Sequence, residues 1–164
     1  MLDNLKVNNY ERSLFMIKPD SYIYKEKILQ DLRKKNFELQ YIKDVILTPD
    51  FLEGLYGSEE NEIIRSMNIK YFSRKLATVG IVAGEDAKER LFELCGTGYI
   101  PDKCGKETIR YKYSTLREPI LINGHEFYVN AIHRSLPQDS EREIELYMNE
   151  YVRKKQEREN NYER

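Results

Sequence analysis

Charge of one sign is what this sequence most clearly lacks. Its 164 residues hold 27 Lys and Arg against 28 Asp and Glu, a formal net charge of −1. Such a balanced chain has no global attraction for nucleic acid or for an anionic membrane, so any anion site must be local. Cysteine is scarce too. Cys95 and Cys104 stand without a secreted disulfide framework or metal-ligand spacing, and reduced thiols in a cytoplasmic protein are the expectation. No apolar run approaches the ~20 residues of a membrane span, and Met1 to Lys6 lack the core of a signal peptide. No internal repeat or linker interrupts the chain. We expect a single domain over 1–164, with its core at about 11–151 and a charged tail over 153–164.

What is present is an alternation of apolar strands and amphipathic helices. Ser13 to Lys18 suits a buried strand that Pro19-Asp20-Ser21 breaks, and a helix is expected from about Tyr22 to Lys35. Phe37 to Leu47 suits a second strand. Thr48-Pro49-Asp50 then opens a helix with Thr as cap and Pro in its first turn. Glu59 to Phe72 is amphipathic and helical, and Leu76 to Ala83 is the most apolar strand. Gly84-Glu85-Asp86 caps the next helix, which ends at Gly96. Ile109 to Val129 holds two β-rich runs around Asn123-Gly124, a strong hairpin signal. From Ser140 the chain is an amphipathic helix that becomes charged and frayed beyond Arg153. The order of elements predicts an α+β, ferredoxin-like α/β sandwich: an antiparallel four-stranded sheet with helices on one face, plus an inserted β-hairpin.

Histidine occurs twice. His133, in Asn130-Ala131-Ile132-His133-Arg134-Ser135, follows the apolar run His125 to Val129, which suits a strand. An imidazole at a strand end faces a cleft from a fixed position, and near neutral pH it is both a proton-transfer group and a nucleophile. A lone histidine is more often a surface or satisfied residue. It gains weight from Phe15-Met16-Ile17-Lys18-Pro19-Asp20 far upstream, where a lysine directly follows an apolar strand.

These segments together resemble one family, the nucleoside diphosphate kinases. Ile17-Lys18-Pro19-Asp20 is similar to that family's I-K-P-D, Thr108-Ile109-Arg110 to its T-I-R, and Asn130-x-Ile132-His133-x-Ser135 to its N-x-I-H-x-S. Glu143-Ile144 resembles the E-I that opens its terminal helix, and Gly84-x-Asp86-Ala87 with Leu94-Cys95-Gly96 frames a matching helix. The resemblance runs from about Glu11 to Tyr151.

It implies ping-pong transfer of a γ-phosphoryl group from a nucleoside triphosphate to a nucleoside diphosphate, with His133 as nucleophile and Glu143 holding its tautomer. Lys18 and Arg110 supply charge to the phosphates, and Tyr56 supplies a hydroxyl. Asn130 with Lys18 holds the sugar hydroxyls, and Ser135 supports the histidine loop. Mg²⁺ is expected on the nucleotide's phosphates and water, with no direct protein ligand. The partners implied are nucleoside tri- and diphosphates and further copies of the chain, with neither nucleic acid nor membrane. The alternatives are a weakened nucleotide-binding or regulatory domain of the same fold and an unrelated RNA-binding sandwich. For the last, the aromatic strand motif and basic stripe are wanting.

The chain also departs from the family. Counting from either flank, Phe92 stands where the family has a second phosphate-binding arginine. Arg90, two residues away and so about 200° around the helix, faces the other way. One of the three main phosphate cations is therefore expected to be missing. Ile64 falls at the base-stacking aromatic, Ser21 follows I-K-P-D in place of glycine, and Leu136 replaces an acidic residue. The loop at Thr97-Gly98, expected near phosphate, is longer than the family's. So is the segment from Arg110 to His133, whose hairpin is expected either to reshape the pocket or to build a subunit contact.

Overall fold

Leu14, Phe15, Met16 and Ile17 form an unbroken apolar run in which every side chain is fully buried. Neighbouring side chains of a strand point to opposite faces, so such a run requires cover on both sides of the sheet. The structure, a computed structural model that describes residues 9–162, provides it. The strands of the main sheet are β1 (Tyr10–Ile17), β2 (Glu38–Ile46), β3 (Leu76–Glu85) and β6 (Ile132–Arg134), in the antiparallel order β2-β3-β1-β6. This is the α+β, ferredoxin-like sheet that the element order predicts. Its helices cover two faces, however, where one was expected. Leu14 and Met16 pack with α2 (Pro49–Leu55), α3 (Glu62–Phe72) and α6 (Ser140–Tyr147). Phe15 and Ile17 pack with α1 (Lys25–Lys34) and α4 (Ala87–Cys95). Each fully buried Leu, Ile or Phe contributes about 1.5–3 kcal/mol through removal from water.

Local chemistry accounts for several element ends. Thr48 caps α2 by accepting from the Phe51 amide at 3.1 Å, with Pro49 in the first turn. The cap of α3 is Asn61, which accepts from the Ile63 and Ile64 amides, so the helix begins later than Glu59. β3 runs on to Glu85, and Asp86 makes no side-chain cap to α4. Gly96 ends α4 at φ +115°, and a Cβ there would lie 3.0 Å from Cys104 Sγ and 3.3 Å from Arg110 Cδ. Only glycine combines that backbone with that closeness.

Three expectations are corrected between Ile109 and the C-terminus, while the expected hairpin is present. Ile109–Tyr113 is a short helix, α5, capped by Thr108; its β-branched and aromatic residues are outweighed by that cap and by the packing of Ile109 into the core. The hairpin is formed by β4 (Ile120–Ile122) and β5 (His125–Phe127), which pair with each other alone and not with the main sheet. The strand bearing His133 is the separate β6, not a continuation of His125 to Val129. Beyond α6 the helical run continues through a π-type stretch, Met148–Arg153, into α7 (Lys154–Tyr162), where fraying was expected. Met1 to Lys6 lie outside the described residues.

Candidate active site

The register of the sheet builds the site. Met16 pairs with His133 and Ile17 with Ile132, so the imidazole stands beside the end of β1. The next residue, Lys18, turns out of the strand, its amide donating to the Ala131 carbonyl at 3.0 Å. Lys18 is 5% exposed, and its Nζ donates to Asn130 Oδ1 at 2.8 Å. The Asn130 amide in turn donates to the Tyr99 carbonyl at 3.1 Å. Lysine and asparagine are thus locked together before any ligand arrives.

His133 Nε2 lies 2.5 Å from Glu143 Oε1. An ionised carboxylate only accepts, so this bond places the ring proton on Nε2 and leaves the lone pair on Nδ1. Glu143 is 2% exposed and sits in the first turn of α6, where the helix dipole favours a negative charge. Burial pushes His133 below its ordinary value and the charges of Lys18 and Arg134 push the same way, while Glu143 opposes them. The Tyr56 ring meets the imidazole edge-on, with centroids 5.5 Å apart, and its buried hydroxyl has no partner. Burial raises that hydroxyl well above the usual tyrosine range, so it is a donor and not a phenolate.

A cavity of about 550 Å³ opens over this centre, lined by Lys18, Tyr56, Arg110, Asn130, His133 and Arg134, among others. That size is in the range of small-ligand sites. Arg110, placed by α5, donates from Nε to the Ile132 carbonyl at 3.1 Å and from Nη1 to the Gly98 carbonyl at 2.6 Å. Burial, with the nearby Arg134 adding to it, lowers Arg110 to about 10, which leaves it charged at neutral pH. Burial and the two arginines bring Lys18 well below the ordinary lysine value. Among the described residues these cations bond to an amide and to backbone carbonyls, and none has a carboxylate as ion-pair partner. Glu143, Glu59, Glu126 and Asp139 also stand on the wall, but none pairs with these cations, and like charges gathered so closely in a buried cavity favour an anion beside them.

The other expected residues divide. Ile64 on α3 and Thr97 after α4 both line the cavity. Ser135 is fully buried, and its hydroxyl has no partner; its support of the histidine strand comes from its amide, which donates to the Leu14 carbonyl at 2.9 Å. Phe92 does not line the cavity but lies under Arg134, whose guanidinium is 4.3 Å from the ring centroid. Arg90 faces away as expected, bonded to the carbonyls of Glu85 and Lys35. Position 92 supplies no cation, as expected, but Arg134 stands on the cavity wall beside Lys18 and Arg110. Sequence reasoning passed over Arg134 as the variable position between His133 and Ser135. The available signal was a charged residue inside a buried strand. The hairpin also reaches the site, since Glu126, Phe127 and Tyr128 are on the cavity wall.

No group of three His, Cys, Asp or Glu side chains is gathered to hold a metal among the described residues.

The chain resembles known proteins over most of its length. A family profile described as Nucleoside diphosphate kinase matches residues 11–152. A nucleoside diphosphate kinase of Clostridium perfringens is 28% identical over 140 residues, covering 84% of this chain and 90% of that protein. A thioredoxin domain-containing protein 3 homolog of Ciona intestinalis is 26% identical over 91 residues, 56% of this chain but 14% of its own length. Among solved structures, the Encephalitozoon cuniculi nucleoside diphosphate kinase superposes with a TM-score of 0.71 at 26% identity, covering 87% of this chain and 91% of that one. The Borrelia burgdorferi enzyme, solved as a transition-state mimic with vanadate and ADP, gives 0.72 at 20% identity, with 85% and 87% covered, a likeness of fold.

Proposed function

The chain belongs to the nucleoside diphosphate kinase family, and from that premise we propose how its own residues carry the reaction. The activity is transfer of the γ-phosphoryl group of a nucleoside triphosphate to a nucleoside diphosphate, with a divalent cation. In our reading the Nδ1 lone pair of His133 attacks the γ-phosphorus. The Nδ1–P bond forms while the bond from phosphorus to the β–γ bridging oxygen breaks, and the nucleoside diphosphate leaves with that electron pair. The ring becomes an N-phosphorylated imidazolium, and Glu143 stabilises its positive charge through the Nε2–H bond. A second nucleoside diphosphate reverses the sequence and restores the neutral ring.

Phosphoryl transfer passes through a loose, anionic transition state, so positioned positive charge does most of the work. Lys18 and Arg110 are proposed to hold the phosphates, and the Tyr56 hydroxyl to donate to the group in transit. Asn130 with Lys18 is proposed to meet the sugar hydroxyls, Thr97 the phosphate side, and Ile64 the base. Mg²⁺ is the cation we propose, carried by phosphates and water; bound there it neutralises phosphate charge. We also propose a cytoplasmic homo-oligomer; no described helix is long and apolar enough to cross a membrane. The single observation that carries this reading is the Nε2–Glu143 bond of 2.5 Å, which leaves Nδ1 as the nucleophile beside unpaired cations. The alternative, a domain that binds nucleotide without transfer, takes its support from Phe92 at the place of a cation; Arg134 on the cavity wall counts against it. The test is incubation of the purified chain with γ-labelled ATP. An acid-labile, alkali-stable phosphoryl group on His133 is expected; a folded, nucleotide-binding protein that takes no label overturns the transfer chemistry.

A further inference from the structure

Arg134 occupies an unusual place. Side chains alternate across a strand, so while His133 leaves β6 towards Tyr56 and Glu143, Arg134 leaves it on the α4 side and meets Phe92. There its guanidinium lies against the aromatic ring at 4.3 Å, and Nη2 donates to the carbonyls of Gly96 at 3.1 Å and Thr97 at 3.3 Å. The residue is 8% exposed, lines the cavity, and keeps Nε buried without an acceptor. A buried guanidinium without an ion-pair partner is costly; the charge of Glu143 offsets part of the cost, and an anion in the cavity offsets more.

We propose that Arg134 and Phe92 are an exchanged pair, in which Arg134, delivered from the strand and seated on the Phe92 ring, grips the polyphosphate of the bound nucleotide in place of an arginine on α4. The proposal deepens the reading of the site as a nucleoside diphosphate kinase centre and rests on it for the identity of the ligand. It explains several features together. Phe92 supplies a flat, half-buried platform that a planar guanidinium stacks on, as arginine does and lysine does not. The carbonyls of Gly96 and Thr97 fix the rotation of that plane. With Lys18 and Arg110, the cavity then holds three cations set around the nucleophile. The charge of Arg134 also acts on His133 and helps keep the imidazole neutral for attack. An arginine added at position 92 of the wild-type chain removes the platform and brings two guanidinium groups together, so it should weaken the site and not improve it.

The test measures grip separately from transfer. Inorganic tripolyphosphate, titrated calorimetrically into the full chain, reports the phosphate subsite without base or sugar. Arg134→Ala should weaken its binding by roughly tenfold or more, the usual loss for a charge-assisted hydrogen bond to a phosphate. Arg134→Gln, which keeps a donor for the Gly96 and Thr97 carbonyls but no charge, should lose a similar factor. It decides the matter if the alanine variant does not fold. Phe92→Arg alone should also bind more weakly than wild type. Phe92→Arg with Arg134→Ala, which returns the cation to α4, should recover most of the affinity. Arg90→Ala, on the same helix but facing away, should bind as wild type does. Folded Arg134→Gln with unchanged tripolyphosphate affinity, or a double variant no better than Arg134→Ala, overturns the proposal. Labelling of His133 by γ-labelled ATP is scored separately. A wild-type chain that binds tripolyphosphate yet takes no label fails the transfer reading, while the fate of Arg134 is still decided by the affinities.

Discussion

The two sides of the cavity are built by different rules. On the histidine side, two bonded pairs stand side by side, Lys18 with Asn130 at 2.8 Å and His133 with Glu143 at 2.5 Å. On the phosphate side, α4 brings Phe92 where a cation is expected, and the charge arrives from β6 as Arg134. The contrast follows from what each side must do. In-line attack requires one lone pair in one direction, and a small misplacement is costly. Positive charge acts through space on a diffuse anion, so it can be delivered from a different backbone position as long as the guanidinium arrives at the same place.

The comparison breaks first at His133. His133→Ala should abolish phosphoenzyme formation altogether; labelling equal to wild type would show that the organised side is not where the chemistry occurs. Next come the cations. Lys18→Ala and Arg110→Ala should each cost roughly 2–4 kcal/mol of transition-state stabilisation, read from kcat/KM, as for loss of one preorganised donor. If either is silent in a folded protein, the charge on the phosphate side is more redundant than its geometry implies.

A smaller effect sharpens the comparison through pH. Burial, Lys18 and Arg134 hold His133 below the ordinary histidine value of about 6.5. The ring is therefore already neutral at pH 7, and labelling should be flat through neutral pH, falling only once the solution is more acid than that ordinary value. Lys18 is depressed as well, so nucleotide affinity should decline on the alkaline side earlier than for an exposed lysine. For stability the sign is the same at both groups. A base whose folded value is depressed binds fewer protons when folded, so its charged form disfavours folding as pH drops below the unfolded value. A decline of labelling beginning above pH 7 on the acid side would mean that Glu143 outweighs burial.

The smallest effects belong to the hairpin. His125, exposed at the start of β5, should be replaceable by alanine with labelling intact. Removing Leu121 to His125 should raise the nucleotide KM several-fold, because Glu126, Phe127 and Tyr128 on the cavity wall lose their support. An unchanged KM with a lower mass in light scattering would return the insertion to a subunit contact.

Much of the frame was legible along the chain because it depends on local pattern. The apolar run of β1, the Thr48-Pro49 helix start and the Asn123-Gly124 turn each carry their own signal over a few residues. The two-sided cover of the sheet was legible in principle, since Leu14 to Ile17 do not alternate with polar residues. Arg110 was placed on a strand because its neighbours favour one; the Thr108 cap and the burial of Ile109 decided otherwise. By itself, then, the sequence determined the order of the elements and which motif residues meet at His133. These depend on which residue follows which, and on a pairing that sets Met16 beside His133. Only the tertiary structure decided how many cations line the cavity. Phe92 and Arg134 lie far apart in the chain, and the strength of a charge at the site depends on distance in space and on burial, neither of which is written in the spacing of residues.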